Sequence, residues 1–156
     1  MTHAPTLRRV ERDDVAAVTA LITEVLAEHD LVFGDGSATD DQLRDLPGAY
    51  DEVGGAFWVA HVDGGLVGTC GVYPVAAGVL ELRKMYLAPA ARGLGVGARL
   101  LEAAVTFARA AGASALVLDT TEQMARAIAF YERHGFVRDD DQIRGARCSR
   151  GYRLTL

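Results

Sequence analysis

A glycine-rich run, RGLGVG at residues 92–97, is the feature that most constrains the fold of this chain. Residues 79–87 before it alternate as in a strand, whereas after Pro89 the apolar residues recur at helical spacing until Gly112, a helix-ending glycine. Glycines let a backbone turn tightly and present several N–H groups on one side. Together with the positive end of the helix dipole and the Arg92 guanidinium, those groups suit an anion. The run therefore predicts a diphosphate site at a strand-to-helix junction.

The rest of the chain predicts an α+β fold, in which helices pack on a mostly antiparallel sheet. Alternating runs predict six or seven strands, at residues 6–10, 56–62, 66–73, 79–87, 115–118, 136–138 and 152–156. Helical spacing predicts about four helices, over residues 13–29, within 42–50 and ended by Pro47-Gly48, after Pro89, and over 123–134. Residues 34–41 are predicted to be a loop. Because no repeat or linker interrupts these elements, we expect one domain over residues 1–156, with its core from residue 6.

Composition narrows the classes of partner. The chain has 21 acidic and 16 basic residues, a net charge of −5, so we expect no nucleic-acid partner, and the acidic balance favours a cationic or amine substrate. No apolar stretch approaches the roughly 18–20 residues of a membrane span, and the first ten residues lack the apolar centre of a signal peptide. Cys70 and Cys148 have neither zinc spacing nor a disulfide framework, so we expect no metal, no membrane partner and a cytoplasmic location.

Two other phosphate-binding motifs are alternatives at the glycine run, and both fit poorly. Gly93, Gly95 and Ala98 satisfy the dinucleotide pattern G-x-G-x-x-A. That fold, however, needs the first glycine directly after a strand and an acidic residue about 20 positions on, whereas here a proline-containing loop intervenes and Asp119 comes too late. The P-loop pattern lacks both its glycine spacing and its Lys-Ser/Thr pair. A nucleotide-dependent oxidoreductase is thus a minor reading, which predicts binding of NAD and none of coenzyme A.

Two motifs of the chain together resemble the GNAT superfamily of N-acetyltransferases. The first, Arg/Gln-x-x-Gly-x-Gly/Ala at a strand-to-helix junction, is met by Arg92, Gly95 and Gly97. The second, at the end of a later helix, is matched by Ala127, Phe130, Tyr131, Gly135 and Phe136. The resemblance extends from about residue 6 to residue 156, and residues 31–54 carry least of it. It implies a twisted sheet that splays apart between its two middle strands.

The resemblance implies acetyl-CoA as co-substrate, with its pantetheine arm in the gap between the splayed strands. Main-chain groups of Met85 and Leu87, with Tyr86 between them, would contact that arm. The pyrophosphate would be held by Arg92, Gly93, Leu94, Gly95, Val96, Gly97 and Ala98. Many family members also have an asparagine seven residues before the tyrosine, where this chain has Met124. The polar residues that could replace its contact are Thr120, Thr121 and Gln123.

The reaction implied is direct attack of a neutral primary amine on the thioester in a ternary complex. Because an alkyl amine is mostly protonated at neutral pH, a base must remove a proton, and an acid must protonate the leaving thiolate. The resemblance implies that Tyr131 is the acid, with simple core packing as its alternative, and that the Leu87 amide polarises the carbonyl. Glu81 is the candidate base, against a structural ion pair with Arg83. Further base candidates are Glu28 and His29.

The sequence therefore predicts an acetyl-CoA-dependent N-acetyltransferase that acts on a small-molecule or amino-acid-like amine. The alternative is a CoA-binding module of the same fold that regulates without turnover. Acceptor specificity is expected from the first helix, residues 31–54 and residues 144–152. Within the second of these, the residues that could contact an amine are Phe33, Asp35, Tyr50 and Asp51. Edge strands of such sheets often pair across a two-fold axis, so a homodimer is a further expectation.

Overall fold

The structure, a computed structural model, describes residues 4–34 and 38–156. These residues form seven strands: β1 Thr6–Arg9, β2 Ala56–Val62, β3 Gly65–Ala76, β4 Val79–Leu87, β5 Ala115–Thr120, β6 Val137–Arg138 and β7 Arg150–Thr155. They also form four α-helices: α1 Val15–Ala27, α2 Gly48–Asp51, α3 Val96–Ala110 and α4 Ala125–Arg133. Short 3-10 helices lie at Arg12–Asp14, Ala38–Asp45, Pro89–Ala91 and Asp140–Gln142. Over these same residues, no helix is both long and apolar enough to cross a membrane.

The strands of the described residues form one sheet in the order β1-β2-β3-β4-β5-β7-β6. Neighbouring strands are antiparallel except β4 and β5, which are parallel. β4 and β5 pair only between Val79–Glu81 and Ala115–Val117, although both strands continue past this stretch. The sheet therefore opens between two central strands, which confirms the predicted α+β fold with a splayed, mostly antiparallel sheet.

Two hydrophobic clusters cover the two faces of the sheet. Because successive side chains of a strand point to opposite faces, β2 contributes Trp58 to one cluster and its neighbour Phe57 to the other. The first cluster contains α3 residues such as Leu100 together with Ile128 and Tyr131 of α4. The second contains the apolar stripe of α1 and residues of the 38–51 segment. Helices therefore pack on both faces of the sheet.

A β-bulge reshapes β4 where it leaves β5. Thr69 pairs with Tyr86 and Gly71 with Arg83, so two residues of β4 lie opposite one residue of β3. The first of these two, Lys84, has a left-handed backbone with φ of 54°, and its carbonyl accepts a hydrogen bond of 2.7 Å from the Thr69 hydroxyl. The bulge gives the last three residues of β4 a different orientation from the first part of the strand.

One predicted helix boundary was wrong. The sequence predicted a helix within residues 42–50 that ends at Pro47-Gly48, whereas the 3-10 helix Ala38–Asp45 ends before the proline and α2 begins after it. Proline lacks an N–H donor, so it is tolerated at a helix start, and here the Pro47 carbonyl accepts from the amides of Tyr50 and Asp51. The proline therefore separates two short helices and places Tyr50 in the core.

Candidate active site

The glycine run forms a turn that ends at the N-terminus of α3. Gly93 and Gly95 have left-handed φ values of 81° and 79°, which favour glycine over residues with a Cβ. The first hydrogen bond within the helix runs from the Arg99 amide to the Gly95 carbonyl. The N–H groups of Val96, Gly97 and Ala98 therefore have no acceptor within α3, and the helix dipole adds positive potential to them. This end of α3 is built to receive an anion.

Other residues of the glycine run stabilise the turn or allow close helix packing. The amides of Arg92 and Leu94 donate to the carbonyls of Pro89 and Ala91, so the turn itself uses these two groups. A Cβ on Gly97 would lie 3.2 Å from Leu87 and 3.3 Å from Phe130. Gly97 is thus the residue that lets α3 approach both β4 and α4 closely.

The side chain of Arg92 is hydrogen-bonded to Glu28 and to the Leu87 carbonyl. Its guanidinium donates to both carboxylate oxygens of Glu28, at 2.9 and 3.1 Å, and to the Leu87 carbonyl at 3.2 Å. The hydrogen bond from Arg92 lowers the pKa of Glu28 from its ordinary value of 4.5. Glu28 and His29 line the cavity beside the glycine turn and not the second cavity described below.

A cavity of about 450 Å³ lies at the opening of the sheet, between the end of β4, the glycine turn and α4. Met85, Tyr86 and Leu87 line it along the strand. The Ala88 amide donates to Val67 of β3, and successive peptide groups of a strand alternate in direction, so we infer that the Leu87 N–H points away from β3 into the opening. We call this space the turn cavity, since it is bounded by Gly93, Gly95 and the first residues of α3.

A second cavity, of about 380 Å³, lies on the other side of the same opening, and we call it the inner cavity. It is lined by residues of β4, the end of β5 and the segment 144–148. Five residues line both cavities: Met85, Tyr86, Met124, Ala127 and Tyr131. A ligand that extends from the glycine turn along β4 would reach the inner cavity beside these five residues.

Tyr131 is held firmly at this junction. Its side chain is 6% exposed, and its ring packs edge-on against Phe130 and Phe136, with centroids 5.7 and 5.6 Å away. Burial raises the pKa of the Tyr131 phenol above its ordinary value of 10.0. A phenol with a raised pKa keeps its proton at neutral pH, so Tyr131 is in the protonated form that a general acid needs. The packing and the acid role that the sequence left as alternatives are thus compatible.

Glu81 is buried and doubly paired. It is 4% exposed and lines the inner cavity, where its carboxylate accepts from Arg83 at 2.6 Å and from Arg144 at 3.1 Å. The ion pair with Arg83, which the sequence left as the alternative to a base, is therefore present, and Arg144 adds a second one.

Sequence reasoning missed a buried ion pair next to this carboxylate. Lys84 Nζ, at the β4 bulge, contacts Asp40 of the 38–45 helix, and Arg147 lies 3.6 Å from the same Asp40. The side chains of Lys84 and Asp40 are only 5% and 1% exposed. The adjacent charges at 83 and 84 interrupt the alternation of an apolar strand, which is the signal that could have indicated the bulge.

The position of the family's asparagine is filled by an apolar side chain. Met124 is 9% exposed and lines both cavities. Of its predicted polar substitutes, Thr120 and Thr121 line the inner cavity, and Gln123 lines neither cavity. The turn cavity therefore receives no polar group from these three residues.

Three of the four residues predicted to contact the acceptor lie outside the inner cavity. Tyr50 is fully buried in the second hydrophobic cluster, Phe33 packs against that cluster, and Asp51 lies 3.5 Å from Arg9. None of these three lines the inner cavity, and Asp35 lies outside the described residues. A local pattern could not show that α2 turns Tyr50 inward. Within residues 4–34 and 38–156, no group of three or more His, Cys, Asp or Glu side chains could hold a metal ion.

Comparisons with known proteins agree with this architecture. The sequence profile of the acetyltransferase (GNAT) family matches residues 22–136. The chain is 36% identical over 138 residues to the uncharacterized N-acetyltransferase YjgM of Escherichia coli K12, an alignment that covers 86% of this chain and 83% of that protein. The family match and this N-acetyltransferase relative identify the protein as an acyltransferase. The chain belongs to the acetyltransferase (GNAT) family.

Solved structures show the same fold. An acetyltransferase of the GNAT family from Staphylococcus aureus Mu50 superposes with a TM-score of 0.89 at 20% identity, covering 97% of this chain and 99% of the other. The PaiA N-acetyltransferase of Thermoplasma acidophilum, solved in complex with coenzyme A, has a TM-score of 0.81 at 17% identity and covers 99% and 100%. At these identities the likeness is one of fold.

Proposed function

We propose that this protein transfers the acetyl group of acetyl-CoA to a primary amine of a small molecule, within one domain formed by residues 1–156. The observation that carries the proposal is the junction of the two cavities. The turn cavity ends at an anion-binding helix terminus, the inner cavity holds buried charged groups, and Tyr131 lies in the wall that they share. A cofactor that is anionic at one end and reactive at the other fits this arrangement.

The cofactor side rests on main-chain groups. The amides of Val96, Gly97 and Ala98 would receive the diphosphate, and Arg92 would add a guanidinium once it leaves Glu28. The pantetheine arm would lie along the open edge of β4 at Met85 and Leu87, in the gap where β5 has diverged. The complex of PaiA with coenzyme A supports this choice of cofactor, because that protein has the same fold.

The chemical step is a direct displacement. The amine nitrogen forms a bond to the acetyl carbon, the carbon–sulfur bond breaks, and the Leu87 N–H stabilises the oxyanion in between. Tyr131 gives its proton to the thiolate that leaves. The amine loses its proton to Glu81 through water, because both oxygens of that carboxylate are occupied by guanidinium groups. The proton on Glu81 then returns to the phenolate through solvent, so that the enzyme regains its starting state.

Thiol release from acetyl-CoA in the presence of an amine panel tests this proposal. Tyr131→Phe should lower kcat by about 10²–10⁴-fold, the usual contribution of a general acid, while calorimetry shows CoA affinity within about threefold of wild type. Tyr73→Phe is the matched control, since Tyr73 lines neither cavity, and it should leave the rate unchanged. Tight CoA binding without turnover on any amine would instead identify the regulatory CoA-binding module.

The role of Glu81 has its own test. Glu81→Gln should lower kcat, while CoA binding is retained. A variant with the wild-type kcat would show that Glu81 only anchors Arg83 and Arg144.

A further inference from the structure

The inner cavity has a charge opposite to that of the whole chain. Although the chain carries a net charge of −5, four cationic side chains line this cavity: Arg83, Lys84, Arg144 and Arg147. We call these four the cationic wall. Three carboxylates face it, those of Glu81 and Asp119 in the lining and that of Asp40 behind Lys84. The expectation of a cationic substrate, which was drawn from the net charge, does not describe the local field.

The carboxylates leave the cationic wall incompletely neutralised. Glu81 is shared by Arg83 and Arg144, and Asp40 is shared by Lys84 and Arg147. Asp119 accepts from two main-chain amides, those of Arg144 and Gly145, both at 2.7 Å. Among residues 4–34 and 38–156, each of these two carboxylates is therefore shared by two cations, and the cavity has four cations against three carboxylates when Asp119 is included.

Arg144 is the member of the wall best placed to receive a ligand. Its side chain is 40% exposed, against 12% for Arg83 and 18% for Arg147. Its Nη2 has only a long contact of 3.5 Å to Gln142, so this edge of the guanidinium can turn to a new acceptor. The Asp119 carboxylate meanwhile holds the backbone of residues 144 and 145 in place.

We infer that the acceptor amine carries a carboxylate and an apolar body, as an apolar amino acid does. This inference rests on the proposed function. The carboxylate would bind Arg144, with Arg147 as the second cation. The apolar body would contact Leu26, Leu31 and Leu82, which also line the inner cavity. The volume of about 380 Å³ suits a small molecule. A diamine or polyamine would instead bring its second ammonium against the cationic wall.

L-leucine and L-leucinamide form the matched pair of probes, since they share amine and side chain and differ in the carboxylate. Wild-type kcat/KM should favour leucine by about tenfold or more, as expected for charge-assisted hydrogen bonds. The amine of the amide loses its proton more easily, so chemistry alone would favour leucinamide. A kcat/KM that favours leucinamide, or a preference for a polyamine of the same panel, would overturn the inference and leave the proposed function intact.

Two variants test whether Arg144 and Arg147 bind the carboxylate of the acceptor. Arg144→Gln should reduce the preference for leucine over leucinamide to within about threefold, through a higher KM for leucine relative to leucinamide. Because Arg144 also donates to Glu81, kcat should change by the same factor on both probes, and the ratio of the two substrates is therefore the readout. Arg147→Gln should weaken the preference in the same direction. Arg138→Gln is the control, since Arg138 pairs with Asp140 outside the inner cavity and should leave the preference unchanged. Retention of the full preference in Arg144→Gln would refute the assignment.

A binding measurement tests the carboxylate site independently of the proposed acetyl transfer. Calorimetric titration of leucine into protein saturated with CoA should show binding that is lost with leucinamide. If no amine is acetylated but leucine still binds selectively, the acetyl-transfer proposal fails and the carboxylate site stands. If leucine does not bind, the carboxylate site fails whatever the turnover.

Discussion

Replacement of Glu28 by glutamine should tighten the binding of coenzyme A. In the structure Arg92 is held by Glu28 through two hydrogen bonds of 2.9 and 3.1 Å, and the two side chains are 22% and 31% exposed. A diphosphate at the N-terminus of α3 would compete with that carboxylate for the same guanidinium. Since a partly exposed ion pair contributes up to about 1 kcal/mol, its loss from the free protein should lower Kd by up to about fivefold.

Calorimetric titration of coenzyme A into wild type, Glu28→Gln and the control Glu24→Gln measures this effect. Glu24 lies one turn earlier on α1, is exposed, and carries the same charge, so its variant accounts for the general change in field. The gain of the Glu28 variant should shrink at 0.5 M salt, because salt screens partly exposed charges.

The pH dependence of the gain has a defined sign. Because Arg92 lowers the pKa of Glu28 from 4.5, the carboxylate stays ionised at pH 5 and above, and the ion pair is fully present there. It is lost only as pH falls through the lowered pKa. The difference in Kd between variant and wild type should therefore be constant from pH 8 to pH 5 and should close only at a pH below the ordinary pKa of 4.5. Weaker CoA binding by Glu28→Gln would refute competition and show that Glu28 orients Arg92 for the cofactor.

Substitutions at three further positions, Asp40, Gly97 and Gly95, test buried charge, packing and the glycine turn. Urea denaturation measures stability for all three, and CoA titration is added for Gly95. Asp40→Asn should lower the free energy of unfolding by about 3 kcal/mol because it leaves Lys84 unpaired, and the double variant Asp40→Asn/Lys84→Met should recover at least about 1 kcal/mol of that loss. The exposed control Asp41→Asn should change the free energy of unfolding by less than about 0.5 kcal/mol. A double variant that is no more stable than the single one would contradict this reasoning. Gly97→Val should cost about 1–3 kcal/mol through overpacking, and an unchanged urea midpoint would show that the contact relaxes freely. Gly95→Ala should cost about 1 kcal/mol, since its φ is left-handed, and should also raise the Kd for CoA; unaltered affinity would argue against the anion site at this turn.

Much of the fold was accessible from local patterns. The alternating runs at 56–62 and 66–73 and the change of period after Pro89 predicted β2, β3 and α3 within a few residues. The boundary at Pro47 was wrong because proline marks both the end and the start of helices, and only the packing of Tyr50 distinguishes the two.

Some features of the candidate site were likewise predictable from the sequence, and others were not. The glycine turn was predictable because its conformation is a property of a few consecutive residues. The bulge at Lys84 was not predicted, because it depends on pairing with Thr69 and Gly71 of the neighbouring strand. The junction of the two cavities at Tyr131 likewise needs β4, β5 and α4 to be assembled.

By itself, the order of residues determined most of the sequence of strands and helices, the glycine turn at 92–97 and the motifs of the family, because each is carried by short runs of neighbouring residues. Only the tertiary structure decided which charges meet. Glu28 with Arg92, Asp40 with Lys84 and Glu81 with Arg144 are far apart along the chain. Such pairs form only once strand order and register bring distant segments together, and local sequence does not encode those distances.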